Sequence, residues 1–395
     1  MPKHILIVSR IFWPEPGAAS GRLASLAKGL VLAGESVRVL TTKYQDAARK
    51  ETKDGYQIRR FPVHRNQDGY VRGYVDYLSF DLPLAWRFWQ QSRVDWVISE
   101  PPPTTGFVAG LLSKLSRRKF AYYAADLWSV AVEEAKAPKI VQWGVKFLEN
   151  TALACADEVF CVSEQVKERL PKRFQNKATV VGFGVDTEIF HPPTNLDLIE
   201  GEAKPVDPNA AVNFLYAGTA SEVHGARVFV DVWPQIKAEL PNATLTFVGQ
   251  GTDYEYFQAK AEADPSIQVH GRVDQTEIVR RLGESQVALA SVAPGNYQFA
   301  VPTKIYSALA VGTPVVYLGP DNIQGALDQQ DFGVRVGHYE NQTQTEMQNA
   351  VAAAMLAVAQ KERGTEVAQA PSWVEQHVSA NAVAKRIHSL IASHH

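Results

Sequence analysis

The chain has 395 residues, 46% of them hydrophobic and 21% charged, with only two cysteines. That composition excludes a disordered, collagen-like or disulfide-scaffolded protein, and the length suits two domains. The net charge of −2 conceals a basic front half (27 Lys and Arg against 20 Asp and Glu in residues 1–195, net +7) and an acidic back half (13 against 22, net −9), so the front is the part drawn to anionic surfaces or substrates.

The predicted elements alternate in kind. Residues 4–8, HILIV, read as a strand, followed by a turn-rich loop over 15–22 and a helix over 22–33 with apolar residues at helical spacing. Gly34 stops that helix, and residues 36–41 alternate as a second strand, which completes one βαβ unit. Strands at 95–99, 120–123 and 158–163 alternate with helices at 106–115 and 139–156. Phe190 and His191 then run into Pro192 and Pro193, which end regular structure, and the polar residues 194–210 read as a linker. Strands restart at 212–217, 243–248, 266–270, 287–290 and 314–317 with helices between them, and residues 373–392 read as one closing helix. The expected domains are 1–193, a linker 194–210, 211–372, and a helix over 373–395 that returns to the N-terminal domain. Two open parallel sheets so joined would face each other across a cleft lined by strand carboxyl ends, where such sheets bind ligands.

No apolar run reaches the ~20 residues of a bilayer span. Residues 5–8 are too short for a signal-peptide core and Arg10 follows at once. Cys155 and Cys161 read as small core residues, and no four-ligand zinc cluster is available. These features point to the cytoplasm.

Two segments carry the chemistry. The loop with Gly17, Ala18 and Gly21 leads into Arg22 and a helix start; small residues let a ligand approach the backbone, and free N–H groups favour an anion. It is neither a dinucleotide fingerprint nor a Walker loop, and a plain tight turn would look the same. The second segment, Val301, Pro302, Thr303 and Lys304 onward, reads as a helix start with Thr303 as N-cap and Gly312 as the stop. Helix N–H groups plus the Lys304 charge suit a diphosphate.

The motifs HILIVSRIFWPEPGAASGR, YAADLWSVAVEEA, DEVFCVSEQVKERL, VVGFGVDTEIFHPP, NFLYAGTASEVHGA, TLTFVGQG, IQVHGRVDQTEIVRRL and VPTKIYSALAVGTPVV occur in that order. In this the chain resembles the retaining GT-B glycosyltransferases of glycosyltransferase family 4, and within them the branch that transfers acetamido sugars in bacterial cell-surface polysaccharide assembly. The resemblance implies two Rossmann-like domains, with a nucleotide-sugar donor on the C-terminal one and a glycan or lipid-linked acceptor on the N-terminal one. It implies that the base lies near Gly271, Arg272 and Val273. It places the diphosphate near Gly218, Thr219 and the helix that opens at Pro302, with the Gly17–Arg22 loop over the phosphates. It also implies that no cofactor and no metal are needed, since helix dipoles and basic side chains take the metal's place.

The departures from the family pattern are specific. Phe299 and Ser307 stand where the broad pattern has two glutamates, and Ser307 lacks the charge and reach of a ribose-gripping carboxylate. Thr219 and His224 stand where many members have arginine and lysine. The remaining candidate counter-charges are Lys304, Arg22, His224 when protonated, and Arg227 if it turns inward. His224 is otherwise a surface histidine at a helix start. Asp126, after the strand at 120–123, is a candidate to orient an acceptor hydroxyl or bind a donor hydroxyl or, equally, a helix N-cap or turn aspartate.

Residues 70–96 interleave Tyr70, Arg72, Tyr74, Tyr77, Phe80, Trp86, Arg87, Phe88, Trp89 and Arg93. They read mainly as a helix packing on the sheet, with docking on an anionic membrane as the alternative. No nucleic-acid-binding pattern occurs. The expected activity is retaining transfer from a nucleotide-diphosphate sugar, UDP-linked, in cell-envelope or exopolysaccharide assembly. The reaction would run without an enzyme nucleophile, the leaving phosphate helping to deprotonate the acceptor. The lost glutamates keep open a catalytically degenerate scaffold or a sugar-nucleotide epimerase.

Overall fold

The computed structural model describes residues 2–15, 17–65, 71, 74–192, 211–294, 302–323, 325–327, 330–337, 342–361 and 365–394. The chain forms two compact units, Met1–Asp186 with Ser379–His395, and Thr187–Val378.

The first unit runs β1 (His4–Val8), α1 (Ala18–Leu32), β2 (Ser36–Thr42), β3 (Lys50–Lys53), β4 (Tyr56–Phe61), α2 (Tyr74–Trp89), β5 (Trp96–Ser99), α3 (Pro103–Leu115), β6 (Lys119–Ala124), α4 (Trp128–Glu134), α5 (Lys139–Cys155), β7 (Glu158–Cys161), α6 (Glu164–Arg169), α7 (Lys172–Gln175) and β8 (Ala178–Val180). The second runs β9 (Asn213–Thr219), α8 (Arg227–Asp231), α9 (Trp233–Glu239), β10 (Thr244–Gln250), α10 (Tyr254–Ala263), β11 (Ile267–His270), α11 (Gln275–Glu284), β12 (Val287–Ser291), α12 (Lys304–Val311), β13 (Val315–Leu318), β14 (Gly333–Val336), α13 (Gln344–Gln360) and α14 (Thr365–His377), before α15 (Ala380–Ser393) rejoins the first unit.

The first sheet has the order β3-β4-β2-β1-β5-β6-β7-β8 and the second β11-β10-β9-β12-β13-β14. Every pairing is parallel except the β3–β4 hairpin at one edge. Helices cover both faces, so the central strands are buried on both sides and read as continuous apolar runs, as in His4–Val8 and Val315–Leu318. The hairpin was missed from sequence although its signal is present: Asp54 and Gly55, both at positive φ, form a two-residue Asp-Gly turn.

Two expected boundaries move, and one expected cap makes no bond. Helix α1 opens at Ala18, so the small residues 18–21 form its first turn instead of a loop. Thr303 holds the N-cap position of α12, as expected, but its backbone is helical and its side chain makes no capping hydrogen bond; Gly312 ends that helix, left-handed at φ 85°. The single helix expected over 373–392 is two helices. Ser379 breaks it, its Oγ accepting from the Ala382 N–H at 3.0 Å, while the Ala380 N–H donates to the Val185 carbonyl at 2.7 Å. Helix α15 then lies so close on α1 that a Cβ at Gly29 would sit 2.4 Å from Ala384 Cβ. The polar stretch 194–210 lies outside the described residues. Among the described residues no helix is long and apolar enough to cross a membrane. Cys161 is buried, which pushes its thiol up to about 12, and Cys155 is half-buried; both are free.

Candidate functional site

In the second unit, the carboxyl ends of β9 and β10 are in register, Gly218 beside Gly249. A Cβ on Gly249 would lie 2.2 Å from the Gly218 carbonyl oxygen, so only glycine fits there. Tyr254 Oη donates to that carbonyl at 3.0 Å, and Tyr216 Oη donates to the Thr219 carbonyl at 2.9 Å. Two aromatic hydroxyls thus hold the turn that leaves β9, with Thr219 exposed at its end.

Lys304 opens α12 and lies against this turn. Part of its stem reaches solvent, but its Nζ is sealed off and makes no hydrogen bond with any described residue. The ammonium sits 3.6 Å from the centre of the Tyr216 ring, and a Cβ on Gly218 would lie 3.4 Å from its Cε and Nζ. The ring face supplies cation–π attraction but no lone pair. Burial lowers the lysine pKa to about 7, so the group is poised between charged and neutral. A buried cationic donor without an acceptor is costly, and an incoming anion would complete it.

The other expected counter-charges resolve differently. His224 Nδ1 is 2.9 Å from Ser221 Oγ, and its pKa is lowered to about 4 by burial and then by Lys304, with Asp253 opposing. It is neutral near pH 7, which corrects the expectation of a protonated counter-charge; it can only exchange neutral hydrogen bonds. Arg227 does not turn inward as a free cation, since it pairs with Asp253 at 2.8 Å and lies over the Tyr256 ring. Gly271 and Arg272 are exposed and Val273 half-buried, just past the end of β11, with open space where a Gly271 Cβ would be. Pro302, Thr303 and Ser307 are half-buried around the start of α12. Val301 and Phe299 lie outside the described residues.

In the first unit, the carboxyl ends of β1, β5 and β6 bring together Ser9, Glu100 and Asp126. Arg22, expected over phosphates, is buried and donates to Glu100 Oε2 at 2.7 Å, with the Tyr123 ring 5.5 Å away. Burial opposes the Arg22 charge most strongly, but Glu100, Tyr123 and Asp126 together outweigh it and raise the pKa. Arg22 is therefore already neutralised within its own unit. Ser9 Oγ donates to Glu100 at 3.3 Å. Gly17 is exposed at the N-cap position of α1, and Ala18 is the first residue of that helix.

Asp126 is not a helix cap. The N-cap position of α4 is Leu127, and the free N–H groups of Trp128 and Ser129 donate to the buried Glu149 at 2.8 and 3.2 Å. Asp126 instead reaches solvent from a densely walled position that raises its carboxyl pKa, with Arg22 pulling the other way. Sequence reasoning missed Glu100, Glu149, Tyr216 and Tyr254. Only Glu100 had a signal, as an acid between a strand end and the turn-forming Pro101-Pro102-Pro103.

Residues 17–184 match the model of the glycosyl transferase 4-like domain, and residues 211–361 match that of the glycosyl transferases group 1. The chain thus carries two glycosyltransferase domains in tandem, on a GT-B fold. No curated protein gives a significant sequence match. Solved structures of the same fold include a sucrose-phosphate synthase from Thermosynechococcus elongatus, at TM-score 0.71 and 15% identity over 99% of this chain and 98% of that one. Anabaena HepE, solved with UDP and glucose, gives TM-score 0.64 and 16% identity over 98% and 99%. The catalytic domain of starch synthase IV from Arabidopsis thaliana, bound to ADP and acarbose, gives 0.71 and 11% over 100% and 99%.

Proposed function

We propose that this glycosyltransferase transfers a sugar, with retention, from a UDP-linked donor to a cell-envelope or exopolysaccharide acceptor. The donor belongs to the second unit, with its diphosphate at the Gly218–Thr219 turn and the α12 start, and its base near Gly271–Val273. The observation that carries this reading is the sealed, unpartnered Lys304 ammonium against Gly218. A diphosphate oxygen would accept its hydrogen bonds, restore its charge, and gain a counter-charge as the sugar bond breaks, without a metal. Asp126, on the first unit, serves the acceptor: its raised pKa suits a carboxyl that accepts from, or shares a proton with, a sugar hydroxyl.

One observation favours a second reading. With His224 neutral and Arg227 paired to Asp253, Lys304 is left as the one unengaged cation among the candidates at this edge. A degenerate protein would keep the nucleotide site and lose turnover. Calorimetric titration of the purified chain with UDP, GDP, ADP and dTDP tests the donor site. Selective UDP binding that is lost in Lys304→Ala is the expected result. Equal affinity of mutant and wild type would remove Lys304 from the site, and no nucleotide binding by a folded sample would overturn the reading. Binding without sugar transfer or donor hydrolysis would select the degenerate protein.

A further inference from the structure

The first unit carries an apolar surface that its fold does not use. Eleven large hydrophobic side chains are exposed among the described residues, and nine of them lie on α2, α3 and α5. These helices are neighbours, α2 against α3 and α3 against α5. On α2 the exposed stripe is Leu78, Leu82, Trp86 and Trp89, at helical spacing, with Trp86 73% exposed; Phe80, Leu84 and Phe88 on the opposite side are fully buried. On α5 the stripe is Ile140, Trp143 and Phe147, with the Trp143 and Phe147 rings stacked at 5.8 Å. Phe147 also meets Phe107 of α3 at 6.3 Å, and Leu111 and Leu115 continue the surface along α3. The described aromatics of this stretch therefore divide: Phe80 and Phe88 serve the core, as expected, and Trp86 and Trp89 do not, while Tyr70 and Arg72 lie outside the described residues.

The charges on the same helices are sorted by sign. Their described acidic side chains, Asp76, Asp81 and Glu149, are all buried. Of their basic ones, Lys114, Lys139 and Lys146 are exposed, while Arg87 is half-buried over the Phe61 ring. Beside the α5 stripe lies a groove of about 580 Å³ with Trp143, Phe147 and Phe174 as apolar walls and Lys146 and Arg173 at its rim. Apolar and indole groups on helices whose exposed charges are the lysines Lys114, Lys139 and Lys146, with no exposed acid among their described residues, are complementary to a bilayer interface bearing anionic headgroups. A second copy of the chain would bring the same cations face to face, which disfavours self-association through this surface.

We infer that the α2–α3–α5 face docks the protein on an anionic phospholipid membrane, with the tryptophans at headgroup depth and the lysines on lipid phosphates. The test is co-sedimentation of the full chain with vesicles of phosphatidylglycerol and phosphatidylcholine, beside vesicles of phosphatidylcholine alone. Binding to the anionic vesicles, weakened by salt and with a blue-shifted tryptophan emission, is expected. Each lysine near an anionic surface is worth about fivefold in partitioning, so Lys114→Ala with Lys146→Ala lowers it about 30-fold. Trp86→Ser with Trp143→Ser abolishes the emission shift. Both variants keep the wild-type circular dichroism and UDP affinity, which separates lost docking from lost folding. Absence of anionic-vesicle binding, equal binding to both vesicle types, or unaltered binding by the variants would overturn the inference. So would a concentration-dependent dimer that the tryptophan variant dissolves while vesicles bind neither protein.

Discussion

Replacing Lys304 by methionine should stabilise the second unit while disabling its ligand site. The lysine is positively charged in the unfolded chain, with a pKa near 10.5, and only about half charged at pH 7 once buried, with a pKa of about 7. The proton lost on folding corresponds to about 4 kcal/mol at pH 7, taking 1.36 kcal/mol per pKa unit. Methionine has nearly the same length, no charge to desolvate, and a favourable contact with the Tyr216 ring. Even a quarter of the cost, about 1 kcal/mol, raises Tm by about 2–4 °C in a unit of this size. The sign with pH follows from the lowered pKa. The unfolded chain binds the extra proton between pH 7 and 10.5, so wild-type stability rises over that window. The advantage of methionine is therefore full below pH 7 and gone above pH 10.5. Scanning calorimetry at pH 7 and pH 10, with UDP titration alongside, measures both effects. The variant should melt higher at pH 7, converge on wild type at pH 10, and bind UDP about 10–150-fold more weakly, the worth of a charged hydrogen bond. A Tm that falls, or a gap that does not close with pH, would show that the ammonium is not a buried unpaired cation.

Three further outcomes are expected. UDP binding to the wild type should take up a proton above pH 7, because bound phosphate raises the Lys304 pKa; affinity then falls by up to tenfold per pH unit from pH 7 until the pKa of the complex, and calorimetry in buffers of different ionisation enthalpy detects the uptake. Arg22→Ala should destabilise the first unit by about 3–5 kcal/mol in urea unfolding, since it strands the buried Glu100, whereas Arg22→Met with Glu100→Gln should recover much of that loss. Gly249→Ala should cost at least about 2 kcal/mol in the second unit, because its Cβ would strike the Gly218 carbonyl from a backbone at φ 148°, and UDP affinity should fall with it as the turn shifts.

The central strands and the helices between them were legible in the sequence because buried parallel strands are short apolar runs and amphipathic helices repeat at 3.6 residues; the outer strands β3, β4, β8 and β14 were not, because they lack such runs. Gly312 was legible as a helix stop because local backbone sterics decide it. Local pattern placed Thr303 at the start of α12 but could not show that its hydroxyl makes no cap, nor decide the break at Ser379. Helix α15 is set apart by the Val185 carbonyl and by close packing on α1. The same holds for charge. From sequence Lys304, Arg22, His224 and Arg227 all stayed candidates, the last two conditionally, because a cation's partner is chosen by distance in space. Only the tertiary structure gave Arg22 to Glu100 and Arg227 to Asp253, buried His224 into neutrality, and left Lys304 over a tyrosine ring with no acceptor. Sequence by itself determined which residues could carry charge or enter the core. Long-range packing decided which charges are cancelled and which aromatics, such as Trp86 and Trp143, are left facing water, because desolvation and pairing depend on neighbours that are distant along the chain.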